Sequence, residues 1–393
     1  MPKRVLCPSS SMRNWPITVL SSCLLSTGQS LLHSKGSFSI NSKLCLRAFQ
    51  KMTAHTTATA DEQNVSASNI VEATTQDSSS SCSPRSTAPV VHVYPFSTPL
   101  HVLLEDSNSS PYESVKYVHY IRHAQGTHNV NKEYRDIANL DARLTEKGKD
   151  QCRQLAEKIR MASSKSETAV NDIHDDDDDT LARLHTLFHQ TELIVTSPLT
   201  RCMQTALLSL EPVLEKRNGK IPVMAHESIR ETVNYNCDRR RTVTELQADF
   251  AGQVDFSSCD NDHDAIWAAY EERLGSDQDY TGHRESAELH VVAERARTFF
   301  EWLRQRPEQH VAICSHAAFS RCLWNFGHEH QDSLSAERFR ATLVDQTLDT
   351  RQGENAKDVP VVKYCGDTDF ELSLRKDFDN CELRSMIVAF VRA

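Results

Sequence analysis

From Ser114 onward the chain repeats one pattern: a short apolar run, a polar break, then an amphipathic stretch of helical period. SVKYVHYI (Ser114–Ile121) concentrates β-branched and aromatic residues and predicts a strand that ends directly on Arg122 and His123. In LTEKGKDQCRQLAEKIR, Leu144, Cys152, Leu155 and Ile159 keep helical spacing. ELIVTSP (Glu192–Pro198) predicts a short buried strand stopped by Ser-Pro. LTRCMQTALLSL then places Leu199, Cys202, Met203, Ala206, Leu207 and Leu210 on one helical face. ELHVVAERARTFFEWLRQRP repeats that pattern with Leu289, Val292, Ala296, Phe299 and Leu303 inward and Pro307 beyond its end. HVAICSH (His310–His316) is a further buried strand, and AAFSRCLWNFG a further helix with Gly327 placed to stop it. Strand–helix alternation of this kind predicts a layered α/β fold with a largely parallel sheet.

The N-terminal part breaks that pattern. Residues 53–90 have no apolar period and predict a disordered Ser/Thr-rich linker, with order beginning near Val91 and a single domain over 91–393. Residues 163–180 predict an irregular acidic insertion around the run Asp175–Asp179. That run lacks the spaced ligands and the glycine of a calcium loop, so it is read as a solvated insertion.

Charge separates the two ends further. Residues 1–60 hold seven Lys/Arg and no acid, out of 44 basic and 54 acidic residues overall, so the remainder carries a net charge of −17. A body that acidic argues against nucleic acid or an anionic membrane as the main partner. The basic, Ser-rich start (1–52) has the composition of an organelle transit peptide, plastid or mitochondrial. ITVLSSCLL (Ile17–Leu25) is too short to span a bilayer and suits at most the core of a secretory signal. Met52 could itself be a start, which leaves a cytoplasmic protein as the alternative. Twelve scattered cysteines without a C-x-x-C pair, several of them inside predicted helices and strands, fit a reduced intracellular protein.

Candidate chemistry collects at the strand ends. Three predicted strands finish in Arg122-His123, in Ser197-Pro198 with Arg201 just after, and in Ser315-His316, each ahead of a helix. In parallel sheets the carboxyl ends of strands gather the active site. Two arginines and two histidines on one rim, beside helix N-termini that favour anions, predict a phosphate site with a histidine nucleophile.

At these residues the sequence resembles the histidine phosphatase superfamily, in its phosphoglycerate mutase-like branch. The R-H-G-x-x-x-x-N motif appears as Arg122-His123-Ala124-Gln125-Gly126-Thr127-His128-Asn129, and S-P-x-x-R-x-x-Q-T-A as SPLTRCMQTA (Ser197–Ala206). The acid that follows in the family resembles Glu231 in SIRET, with Glu227 as its rival, and the strand ending in S/T-H resembles Cys314-Ser315-His316-Ala317. The likeness runs from about Val115 to the C-terminus. Ala124 stands where the family has glycine, and Gln125-Gly126-Thr127-His128 is unlike the loop of true cofactor-dependent mutases. Cys237-Asp238-Arg239-Arg240-Arg241 is similar to a CDRRR segment of a subgroup with unsettled substrates.

The resemblance implies a three-layer α/β/α sandwich with a mostly parallel central sheet. It implies a phosphatase acting on a small phosphorylated metabolite through a phosphohistidine, with no metal or other cofactor. His123 is then the nucleophile, because a neutral imidazole titrates near pH 7. Arg122 and Arg201 offer bidentate forks to phosphoryl oxygens, His316 a further donor, and Glu231 the proton for the leaving group. Asn129 and His128 are expected to touch substrate, and Arg239 and Arg240 to hold a second substrate charge. Two alternatives stay open: a mutase that returns the phosphoryl group to bound substrate, and a non-catalytic binding protein on the same fold. A serine hydrolase using Ser315 is disfavoured, since no G-x-S-x-G elbow occurs.

Overall fold

A computed structural model describes residues 91–104, 110–164, 176–276, 280, 282–287, 289–328 and 359–392. The expected targeting segment (1–52) and linker (53–90) lie outside these residues. In chain order the elements are β1 (Val91–Pro95), α1 (Leu100–Leu103), β2 (Tyr112–Arg122), α2 (Thr127–Asn131), α3 (Glu146–Ser163), α4 (Asp176–Gln190) and β3 (Leu193–Thr196). There follow α5 (Thr200–Ser209), α6 (Glu211–Lys216), β4 (Val223–His226), α7 (Val243–Asp249), β5 (Asp255–Ser258) and α8 (Ala265–Leu274). The last are α9 (His290–Gln305), β6 (His310–Ser315), α10 (Ala317–Asn325), β7 (Val362–Tyr364), α11 (Thr368–Arg375) and β8 (Leu383–Val391).

The strands form one sheet in the order β5-β4-β3-β6-β2-β8-β1-β7. Every neighbouring pair is parallel except those made by β8, which runs antiparallel to both β2 and β1. The sheet is therefore mostly parallel, as expected. Its strands β3 and β6 are largely apolar runs because both faces are covered. In β6, Val311 and Ile313 face one core with Phe299, Phe300 and Leu303 of α9 and Trp324 of α10. The alternate residues Ala312 and Cys314 face a second core with Ile159 of α3, and Met203 and Ala206 of α5. That period-two split sets helices on both sides of the sheet and gives the three-layer sandwich.

Helix boundaries follow local chemistry. Thr145 caps α3 by accepting from Gly148 N at 3.0 Å, and Cys152, Leu155 and Ile159 form its buried stripe. After α10 the chain turns at Gly327, whose φ of 77° is left-handed, and a Cβ there would stand 2.5 Å from Pro360 N. The acidic stretch differs from expectation. Its margins are helical: α3 runs through Ser163, and α4 starts at Asp176 with Asp179 paired to Arg183 one turn on. Residues 165–175 lie outside the described residues.

Candidate active site

β3, β6 and β2 are adjacent and parallel, with Thr196 opposite Cys314 and Arg122 opposite Ser315. Their carboxyl ends therefore lie level. The chain leaves each one tied to its neighbour: His123 N donates to Ser315 O at 2.9 Å, and Ser197 N to Cys314 O at 3.0 Å. This register brings the three polar strand endings of the sequence to one rim.

His123 is 2% exposed, and its protonation is fixed by geometry. Nδ1 lies 2.8 Å from Ala124 O, and a carbonyl only accepts, so Nδ1 carries the proton. Nε2 then holds the lone pair, and it accepts from Arg201 Nε–H at 3.3 Å. Burial, with Arg201, Arg122 and His128 adding to it, holds the imidazole pKa well below the ordinary histidine value. At neutral pH the ring is uncharged and nucleophilic at Nε2. The loop beyond it is clamped: Ala124 N donates to Thr205 Oγ1 at 3.0 Å and Gln125 N to Gln151 Oε1 at 2.9 Å.

Arg201, 1% exposed, enters from the first turn of α5. Asp141, itself buried and at a left-handed φ of 47°, accepts from Thr200 N at 2.8 Å and from Arg241 Nε at 3.0 Å, which fixes the start of that helix. Arg201 Nη1 donates to Cys237 O, and Nη2 to Asp238 Oδ1 at 3.0 Å. Three of its five N–H groups thus hold it in place, and two remain. Burial pushes the Asp238 carboxyl up to about 6 against the pull of Arg201, while the Asp238 charge outweighs burial to keep Arg201 cationic.

Arg122 is differently placed. Nη1 donates to Phe378 O, and its buried Nε has no hydrogen-bond partner. Burial lowers its pKa from the ordinary arginine value, with the Glu231 charge opposing. A buried guanidinium N–H without a hydrogen-bond partner can donate to an anion's oxygen.

Arg122, His123, His128, Asn129, Arg201 and Glu231 all line one cavity of about 230 Å³. Asn129 Oδ1 accepts from Gly126 N at 3.0 Å, which leaves its amide N–H groups as the part able to donate to a ligand. His128 is 5% exposed, and burial lowers its pKa to about 2, helped by Arg201 and Arg122; its Nδ1 has no partner. Glu231 is held at the start of α10, where Oε1 accepts from Phe319 N at 3.0 Å and Oε2 from Ala318 N at 3.3 Å. Its rival Glu227 is instead engaged by Arg230 and Arg240.

His316 takes a deeper position than expected. It is fully buried behind His123, ring centroids 5.1 Å apart, with Nε2 2.7 Å from Ser197 Oγ. Burial, with Arg201 second, holds its pKa well below the histidine range. The structure does not bring Arg239 and Arg240 to the cavity. Arg240 spends Nη1 and Nη2 on the carbonyls of Arg241, Asn261, Asp262 and His263 and pairs with Glu227, so it builds a loop. Arg239 lies over the Trp267 ring at 5.5 Å and near Glu271.

Sequence reasoning missed the far wall of the cavity, where Tyr134, Tyr235, Asn234, His283 and Glu285 stand. Asn234 Oδ1 accepts from Arg284 N at 2.8 Å and Glu285 N at 3.0 Å, and Glu285 Oε2 accepts from Val233 N at 2.8 Å. This zips two loops fifty residues apart. Neither has a period or motif of its own. Asp238 had a signal, a lone acid beside three arginines, which reads as an ion-pair partner.

The chain is similar to known proteins. Residues 179–344 match the family described as "Histidine phosphatase superfamily (branch 1)". A phosphoglycerate mutase-like protein of Arabidopsis thaliana is 30% identical over 257 residues, covering 58% of this chain and 80% of that protein. Phosphoglycerate mutase-like protein 1 of the same plant is 26% identical over 306 residues, covering 71% and 83%. Among solved structures, a mycobacterial glucosyl-3-phosphoglycerate phosphatase is 21% identical, covering 53% of this chain and 77% of that one with a TM-score of 0.28, a superposition too loose to carry weight.

Proposed function

The chain belongs to the histidine phosphatase superfamily, in its phosphoglycerate mutase-like branch, and from that premise we propose that it hydrolyses a small phosphorylated metabolite through a phosphohistidine at His123. The carrying observation is a tautomer-fixed, neutral His123 lining the same cavity as Arg122, whose buried Nε has no hydrogen-bond partner. In the first step Nε2 gives up its hydrogen bond from Arg201 Nε and attacks phosphorus, an N–P bond forms and the bond to the leaving oxygen breaks. Arg122 and the two remaining N–H groups of Arg201 stabilise the phosphoryl charge, and Glu231 protonates the departing alkoxide. In the second step Glu231 takes a proton from water as its oxygen attacks phosphorus, the N–P bond breaks, and phosphate leaves. His316 supports the ring of His123 from behind.

Hydrolysis is favoured over transfer to a bound product by where the arginines go. Return of a phosphoryl group to a phosphorylated product calls for a second set of cations, and Arg239 and Arg240 are spent on loop carbonyls and on acids. Of the arginines on the cavity wall, Arg321 is ion-paired with Asp377. The test is phosphate release from a panel of phosphorylated metabolites by residues 91–393 in EDTA, beside His123→Ala. Release that survives EDTA and vanishes in the variant supports the proposal. Conversion of 3-phosphoglycerate to 2-phosphoglycerate without release would replace it with a mutase.

A further inference from the structure

The backbone side of the catalytic dipeptide carries a chemistry that phosphoryl transfer does not use. The carbonyls of Arg122 and His123 are both received by one turn just before β8. Cys381 N lies 3.1 Å from Arg122 O and 3.4 Å from His123 O, and Asn380 Nδ2 donates to His123 O at 3.1 Å. Cys381 reaches this position with φ of 62°, a left-handed conformation disfavoured for a residue bearing a Cβ. Its side chain packs on the small apolar group of Ala124, Leu144 and the fully buried Cys152 of α3. Cys381 also lines a cavity of about 400 Å³, between α3 and β8, that shares no residue with the active-site cavity.

We propose that Cys152 and Cys381 form a dithiol modification site, in which a hydroperoxide entering this second cavity closes a disulfide that displaces Arg122 and His123. The thiols interact: Cys381 is the chief cause lowering the Cys152 pKa, and Cys152 the chief cause raising that of Cys381. Such a pair gives up one proton more readily than its second, and the remaining one stays with Cys381. In the first step the Cys152 sulfur, the more readily ionised of the two, attacks the peroxide, the O–O bond breaks, and Cys152 sulfenic acid and an alcohol (water, for hydrogen peroxide) form. The Cys381 thiol then attacks that sulfur, the S–S bond forms, and its proton leaves with the hydroxyl as water. The peroxide is the two-electron oxidant. A disulfide brings the two sulfurs closer than thiol contact does, so Cys381 must move, and the two carbonyls it receives move with it. The pair Cys202 and Cys314, also buried near the site, lines neither cavity.

The test treats the full chain with hydrogen peroxide and maps its peptides without reduction, while following hydrolysis of an aryl phosphate. The expected result is a Cys152–Cys381 peptide lighter by two hydrogens, with a loss of turnover on the order of 10²-fold, both reversed by dithiothreitol. Cys152→Ser should keep its activity in peroxide, with Cys152→Ala as the second variant if serine impairs folding. Two results would overturn the proposal: both cysteines still separately alkylated after peroxide has acted elsewhere, or Cys152→Ser inactivated as fast as the parent. The cross-link is read by mass, so it stands or falls even if no phosphate is released, and that outcome would instead remove the phosphatase reading.

Discussion

The nucleophile loop rests directly on the first turn of α3, and Gly148→Ala tests how much its position matters. A Cβ at Gly148 would stand 2.2 Å from Gln125 O, 3.1 Å from Gln125 C and 3.2 Å from Gln125 N. Ordinary contact begins near 3.4 Å, so helix and loop must separate by about 1.2 Å. The obstacle is backbone, and it is held: Thr145 N donates to Gln125 O at 3.0 Å and Gln125 N to Gln151 Oε1 at 2.9 Å. The loop runs straight into Ala124, whose carbonyl fixes the His123 ring. A misplacement of about 1 Å costs on the order of 10²-fold in rate, or about 2.7 kcal/mol of barrier. Stability should change less, because overpacking costs about 1–3 kcal/mol while replacing a helical glycine by alanine returns about 0.5–1 kcal/mol. The assay is kcat/KM on an aryl phosphate with a thermal melt, beside Lys147→Ala on the exposed side of the same turn. An unchanged kcat/KM in Gly148→Ala would show that the loop's position does not set the rate.

The two arginines should separate in their effects. Arg122→Ala is expected to raise the barrier by about 2.7–4 kcal/mol with little change in melting. Arg201→Ala should in addition lose about 3–5 kcal/mol of stability, because Asp238 is left buried without its partner; chemical denaturation distinguishes them. Asp238 itself titrates at about 6, above the usual carboxylate value. Below that pH its proton frees Arg201 Nη2, so kcat/KM should fall through pH 6, and the inflection should be missing from the lower profile of Asp238→Asn. For folding the sign is opposite: the raised pKa adds stability that is full below about pH 4 and is lost as pH rises through 6. Burial lowers His119 to about 3 and His226 to about 4, so their contribution is full above pH 6.5 and is lost on acidification. At pH 4.5 the two together cost about 5 kcal/mol, of which Asp238 returns about 2. The urea midpoint should therefore drop between pH 7 and 4.5, and a flat profile would refute this balance.

What the sequence discloses here depends on how far a residue's role reaches along the chain. The strands, the helix stripes and the three polar strand endings are local patterns, and parallel pairing in register carries Arg122, Ser197 and His316 to one rim almost by necessity. The depth of His316 was not legible, because a strand ending says where a side chain starts but not whether another ring stands in front of it. Arg240 shows the limit more sharply. Its neighbours Arg239 and Arg241 suggest a charged surface, yet its donors close on carbonyls some twenty residues later, a contact with no periodic signature. The Asn234–Glu285 zipper is invisible for the same reason. The acidic run reads as irregular by composition, yet the chain is helical from Asp176, with an i,i+4 pair at Asp179 and Arg183.

The most direct measurement is to quench the reaction within its first turnover under alkaline conditions, which preserve phosphohistidine, and to map the phosphoryl group by mass. The expected result is a gain of one HPO₃ on the peptide carrying His123, decaying as free phosphate appears and missing from His123→Ala. Phosphate release with no such adduct, or with the group on another side chain, would contradict a histidine nucleophile at this rim.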